Sequence, residues 1–135
     1  MKIVFLLLCS AFVSTSSLAG SINNYFCSMD GFSTSADPEK YVDHITSNLA
    51  KQFLVKVSLD SITVSQVSNT SLKYSETYKI FERWHGTVKA MNIRADSAYL
   101  FLIEEKMRED KFFASMSLIK SNVVNGWEMT CDKLD

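Results

Sequence analysis

The sequence predicts a mainly β, exported domain, an antiparallel meander curled into a small barrel or strongly curved sheet with one helix near its N-terminal end. Three observations carry that expectation. Beyond Phe53 apolar residues recur with a period of two, in segment after segment at roughly ten-residue spacing, separated by short turn signals. Two cysteines, Cys27 and Cys131, stand near the two ends of the domain. A short apolar leader precedes them. The same number of strands would also build a two-sheet sandwich, which is the alternative architecture.

The leader reads as a signal peptide, residues 1–19. Lys2 is a minimal positive region, Ile3 to Val13 is apolar apart from Cys9 and Ser10, and Ser17 and Ala19 place small residues at the −3 and −1 positions. Cleavage is expected between Ala19 and Gly20. A stretch of about eleven apolar residues is too short for a membrane anchor, which needs roughly 20. A lipoprotein signal acylated at Cys9 is disfavoured by the bulky Leu6, Leu7 and Leu8 beside it. The remaining chain, 20–135, is a single domain of 116 residues with 13 basic and 15 acidic side chains. A net charge of −2 argues against nucleic acid, because a phosphate-binding surface needs a basic excess. No polybasic run marks an anionic membrane surface.

With Cys9 removed, Cys27 and Cys131 are an even pair in an exported chain, most simply a disulfide. Two free thiols with a redox role would be the alternative, but the C-x-x-C spacing is missing. The bridge would close a loop of about 105 residues, for which chain entropy gives roughly 4–5 kcal/mol. It would also set both ends of the domain side by side, as paired first and last strands require.

Asn24 to Met29 reads as the first strand, with Tyr25 and Cys27 on one face, Phe26 on the other and Asp30-Gly31 as its end. Ser33 to Ala36 reads as loop. Asp37-Pro38-Glu39 is a helix start: a capping carboxylate, a proline at the first helical position and an acid at the positive end. Tyr41, Val42, Ile45, Leu49 and Phe53 then recur at helical spacing opposite Lys40, Asp43, Ser47 and Lys51, which predicts a helix over about 38–50. Phe53, Val55, Val57 and Leu59 begin the alternating series. Asp60-Ser61 is a turn, Ile62 and Val64 a strand, and Asn69-Thr70-Ser71 a loop. A long strand follows through Leu72, Tyr74, Tyr78, Ile80 and Glu82 to a turn at His85-Gly86. Val88 and Ala90 alternate up to a turn at Ala95-Asp96-Ser97, and Ala98 to Ile103 is a buried-looking run. Glu104 to Asp110 reads as a charged connection, and Phe112 to Ile119 and Gly126 to Cys131 complete the series.

Catalytic chemistry finds little support. His44, beside Asp43 on the helix, has no G-x-S-x-G nucleophile elbow to serve, and a structural place is the better reading. His85 sits in a turn after Trp84. The two histidines are 41 positions apart and the cysteines are committed, so no zinc set forms and no metal is expected. Asp30-Gly31 and Glu104-Glu105 lack the alternating oxygens of a calcium loop. Gly20, Gly31, Gly86 and Gly126 are too scattered to cradle phosphate, and no cofactor is expected. Glu104, Glu105, Glu109 and Asp110, interleaved with Lys106, Arg108 and Lys111, read as a solvated mixed-charge segment. No catalytic residue is assigned.

Aromatic residues are the remaining signal. Tyr74, Tyr78, Phe81 and Trp84 share one stretch with Lys73, Lys79, Arg83 and His85. Alternation sends Tyr74, Tyr78 and Ile80 to one face, so most of this set is core. The turn Arg83, Trp84, His85 and Gly86 is the expected contact for a protein partner, since tryptophan and arginine dominate interface hot spots.

The layout resembles the membrane-bound and periplasmic inhibitors of C-type lysozyme, small exported β-barrels of Gram-negative bacteria. Tyr25-Phe26-Cys27 is similar to that family's opening Tyr-x-Cys strand, and Cys131 to its C-terminal cysteine. Thr70-Ser71-Leu72-Lys73-Tyr74, followed by Tyr78, Phe81, Trp84 and Gly86, is similar in outline to its central Ser-Gly-x-x-Tyr stretch and aromatic strand. The family's serine and glycine fall at Thr70 and Ser71, and the lysine before its turn glycine is His85. The helix and the C-terminal strands also lengthen the chain beyond the family's plan. The resemblance covers about a third of the chain. It implies a barrel and an inhibitor whose loop enters a hydrolase cleft.

The expectation is thus a non-enzymatic exported binding domain, with a hydrolase inhibitor and a small-ligand carrier as alternatives. For the carrier, Met91, Met107, Met116, Met129 and the phenylalanines either line a cavity or fill the interior. The resemblance favours the periplasm. A eukaryotic secretory route would instead make Asn69 a glycosylation site.

Overall fold

A computed structural model describes residues 21–37, 42–68 and 71–135, together with the backbone alone at 42–44 and 71. The signal peptide with its Ala19–Gly20 cleavage site, the Pro38-Glu39 helix start, the His44 side chain and Asn69-Thr70 lie outside what is described. Eight antiparallel strands close into a barrel in sequence order. They are β1 (Asn23–Thr34), β2 (Gln52–Val57), β3 (Ser61–Ser68), β4 (Ser71–Trp84), β5 (Thr87–Ile93), β6 (Ser97–Arg108), β7 (Lys111–Lys120) and β8 (Val124–Leu134). The one helix, α1 (Val42–Leu49), lies between β1 and β2. The sheet closes into a barrel and does not split into a sandwich.

The alternation read from the sequence sets the inside. Tyr25 and Cys27 of β1, Phe53, Val55 and Val57 of β2, Ile62 and Val64 of β3, and Tyr78 of β4 are all buried. So are Val88 and Ala90 of β5, Phe101 and Ile103 of β6, Met116 of β7, and Trp127, Met129 and Cys131 of β8. Lys56, Lys79, Glu128 and Asp132 stand exposed on the outer face. Apolar inside and charged outside is the reverse of a lipid-facing barrel. Among the described residues no helix is long and apolar enough to cross a membrane.

The barrel closes where β1 meets β8, in register from Asn24↔Leu134 to Thr34↔Asn125. Cys27 and Cys131 are direct partners in this ladder, and their disulfide joins Cα atoms 4.0 Å apart. Both cysteines are fully buried. The bridge therefore staples the one seam whose strands are farthest apart in sequence.

Three boundaries differ from expectation. β1 does not stop at Asp30-Gly31, because a bulge between Met29 and Gly31 absorbs the irregularity and lets Phe32 pair with Trp127. The expected loop at Ser33 is strand for the same reason. Glu104 to Asp110 is not the expected connection. β6 continues to Arg108, and the reversal occupies Glu109 and Asp110, both at positive φ (51° and 61°). On α1 the residue turned into the barrel is Asn48, while Leu49 is exposed. Leu59, expected on the inner face after Val57, is also exposed, since β2 ends at Val57.

A second bulge, between Ile80 and Glu82, has a larger consequence. Phe81 is the extra residue, and beyond it the parity of β4 inverts. Glu82 then pairs outward with Lys89, and Arg83 stands opposite the buried Val88. Arg83 is thereby aimed at the lower end of the barrel. There its Nη1 lies 3.3 Å from Glu105 Oε2, and its Nη2 donates to the carbonyls of Ser58 and Leu59. Glu105 also accepts from Asn23 Nδ2 at 3.0 Å and from the Tyr25 hydroxyl at 3.5 Å. Asn23, Ser58, Leu59, Arg83 and Glu105 line a shallow depression of about 210 Å³ at that end.

Replacing both cysteines, Cys27→Ala with Cys131→Ala, is expected to lower unfolding free energy by about 2–5 kcal/mol. Urea denaturation followed by far-ultraviolet circular dichroism measures it. A midpoint equal to the parent's would show that the seam holds without its staple.

Candidate functional site

The opposite, upper end is built differently. Here the inward-facing register of several strands changes from apolar to polar within the last few residues. Gln66 follows Ile62 and Val64 on β3, Tyr74 and Glu76 precede Tyr78 on β4, Tyr99 precedes Phe101 on β6, and Asn125 precedes Trp127 on β8. Each lies two residues from its neighbour on the same face, as the pleat requires. With Asn48 of α1 and Lys51 just before β2 they surround a cavity of about 270 Å³, floored by Phe53, Val64, Met116, Leu118 and Trp127. An eight-stranded barrel has room for one compact ligand when its side chains leave space.

α1 contributes the buried Asn48 amide to this cavity. Asn48 is 1 % exposed, and its Oδ1 accepts from the Trp127 indole at 3.0 Å and from Lys51 Nζ at 2.6 Å. Burial lowers the pKa of Lys51 below the ordinary lysine value, because desolvation penalises its charged form.

On the far wall Glu76 is 6 % exposed and fully engaged. Its Oε1 accepts from the Tyr74 hydroxyl and pairs with the Arg94 guanidinium, which comes from the β5–β6 connection. Its Oε2 lies 3.4 Å from the Tyr78 hydroxyl, which also reaches Met116 Sδ at 3.3 Å. Arg94 in turn sits over the Tyr99 ring, 5.1 Å from its centroid. Burial raises the pKa of Tyr78, with a further contribution from Tyr99.

Among the described residues one buried side-chain polar atom, Asn125 Oδ1, has no hydrogen-bond partner. A buried acceptor without a donor costs about 1–3 kcal/mol, so it marks where the cavity is incomplete.

The expected contact turn takes up a different position. Trp84 is 67 % exposed at the tip of the β4–β5 hairpin, edge-to-face with His85 at 4.3 Å between ring centroids. His85 and Gly86 both have positive φ (48° and 82°), the two-residue turn that suits a hairpin's twist. Arg83, Trp84, His85 and Gly86 are all exposed, and the Arg83 guanidinium is also within reach of Glu105. The turn and the cavity lie at opposite ends of the barrel. Among the described residues no group of three or more His, Cys, Asp or Glu is placed to hold a metal.

Asn48, Lys51, Glu76, Arg94, Tyr99, Asn125 and Trp127 were not singled out by their residue types. The signal that marks most of them is positional: a polar residue on the inward parity of a strand, at the same end of each. Comparison of the chain with protein-family models, with curated proteins and with solved structures finds no match.

Two measurements check this geometry. Arg94→Ala leaves the Glu76 carboxylate buried with two phenols only, so it is expected to destabilise by about 1–3 kcal/mol. The double variant Arg94→Ala, Glu76→Gln is expected to recover part of that loss, and equal losses in both would refute the pairing. At the lower end, burial first and then Glu105 push Tyr25 up to about 12. A raised pKa favours the neutral phenol, so its contribution to stability is intact below about pH 10 and fades as pH rises toward 12. Absorbance at 295 nm in a Tyr25→Phe comparison is expected to show one tyrosinate lost from the last part of the titration.

Proposed function

We propose that this domain is an exported, non-enzymatic binding protein that takes up one compact small molecule in the upper end of the barrel, beneath α1. The observation that carries the reading is the makeup of the upper end. There a cavity of about 270 Å³ is lined by aromatic rings and converging polar groups, whereas the lower end offers a smaller depression of about 210 Å³ whose polar groups are bonded to one another around Glu105. Binding pockets share that composition, an apolar lining with a few placed polar groups. On a scale of about 30 Å³ per water molecule, the cavity has room for about ten non-hydrogen atoms. The disulfide supports export, because such bridges persist in oxidising compartments. The periplasm remains the preferred compartment on the lysozyme-inhibitor resemblance.

Trp84 supports a second reading, a protein contact at the hairpin tip, and Leu59, 71 % exposed, lies on the same end of the barrel. The resemblance to lysozyme inhibitors would make that partner a hydrolase. Undiminished lysozyme activity at excess protein would remove that form of it.

Native mass spectrometry of protein recovered from its host without denaturation is expected to show a non-covalent small-molecule adduct. The adduct is expected to be absent when Leu118→Trp fills the cavity. A clean parent mass, or an adduct that survives the filled cavity, contradicts the reading.

A further inference from the structure

Resting on the small-ligand reading, the charges around the cavity distinguish one ligand chemistry from the others. The titratable groups that face the space are Lys51, Glu76, Tyr74, Tyr78 and Tyr99, with Arg94 behind Glu76. The Glu76 charge is already paired with Arg94, and its oxygens also face Tyr74 and Tyr78, which leaves it a poor partner for a cationic ligand. Lys51 is the opposite case. Its ammonium donates to Asn48 and forms no ion pair among the described residues, although it can donate three hydrogen bonds. The acidic residue that lines the space, Glu76, is already paired with Arg94, so among the described residues the cavity carries one positive charge without a counter-ion.

We propose that the pocket is a site for a small monocarboxylate, whose carboxylate pairs with Lys51 while its flat apolar body lies against Trp127 and Phe53. A partly desolvated ammonium gains most from a carboxylate, since a charge-assisted hydrogen bond is roughly twice as strong as a neutral one. The lowered Lys51 pKa agrees with this, because desolvation is its cause and no carboxylate offsets it. Asn125 Oδ1 adds a second feature. Asn125 lines the cavity, and rotation of its amide turns that oxygen, unpartnered among the described residues, toward a hydroxyl or N–H donor on the ligand. A hydroxy acid therefore fits better than the plain acid.

Trp127 reports directly on the cavity, and Trp84→Phe removes the other tryptophan at the far end of the barrel. In that background, fluorescence titration compares phenylacetate, its neutral isostere phenylacetamide, and mandelate, which adds the hydroxyl. Phenylacetate is expected to bind at least tenfold more tightly than the amide, and mandelate more tightly again. Lys51→Met is expected to abolish the preference for the acid over the amide, and Lys51→Arg to keep it, with near-ultraviolet circular dichroism unchanged in both. Equal affinity for acid and amide, or a preference that survives Lys51→Met, overturns the carboxylate assignment but leaves the small-ligand reading standing. No response to any of the three, together with a clean native mass, removes both.

Discussion

The whole architecture depends on closing the sheet between its first and last strands. An open meander of eight strands would expose two rows of unpaired backbone groups, a template for pairing with other chains. Pairing β1 with β8 removes both rows, but it joins segments about a hundred residues apart and so carries a large entropic penalty. The direct Cys27–Cys131 bridge lies within that ladder, flanked on the inside by Tyr25 and Met129. The covalent link limits the freedom of the unfolded chain where the folded chain needs it least. Closure also fixes register, and register decides which side chains meet in the lumen.

Once the ring is closed, function follows from how each end is finished. Parity sends every second residue inward, so the lumen is apolar wherever the strands overlap fully and polar where they run out. At the lower end a single inserted residue, Phe81, inverts the parity of β4 and delivers Arg83 to Glu105. Asn23 and Tyr25 complete a set that shares Glu105 as its acceptor. At the upper end the polar groups come from five elements and satisfy one another in two separate groups, Asn48 with Lys51 and Trp127, and Glu76 with Arg94, Tyr74 and Tyr78. The space between those groups is the candidate site. A polar set bonded within itself rigidifies, whereas one with an open acceptor and an unpaired cation is suited to a ligand.

Much of the barrel was legible from alternation alone. Phe53, Val55 and Val57, Ile62 and Val64, and Val88 and Ala90 declare their inward face in sequence, and His85-Gly86 declares its turn. The disulfide was legible from cysteine arithmetic. What escaped is what depends on register between strands. The Asp30-Gly31 pair looks like a strand end and is a bulge, because β8 continues opposite it. The charged run from Glu104 looks like a connection and is strand, because its backbone keeps pairing with β7, Glu104 with Phe113 and Arg108 with Lys111. Arg83 reads as an exposed residue and is one, but the bulge at Phe81 that also brings it within reach of Glu105 has no sequence signature. The upper site is the clearest case: Glu76, Asn125 and Lys51 are ordinary polar residues far apart in sequence, and only the closed ring makes them neighbours. The inward parity of Glu76 between Tyr74 and Tyr78 was visible, but its meaning required the partners.

The most direct test of this division between an internally bonded end and a binding end uses the protein's two indole N–H groups as reporters in a nitrogen-15 NMR spectrum. Trp127, bonded to Asn48 at the cavity, is expected to exchange slowly with deuterium and to shift when phenylacetate is added. Trp84, at the opposite tip, is expected to exchange fast and stay in place. A spectrum in which only Trp84 responds to the ligand would move the site to the other end of the barrel and contradict the division of labour described above.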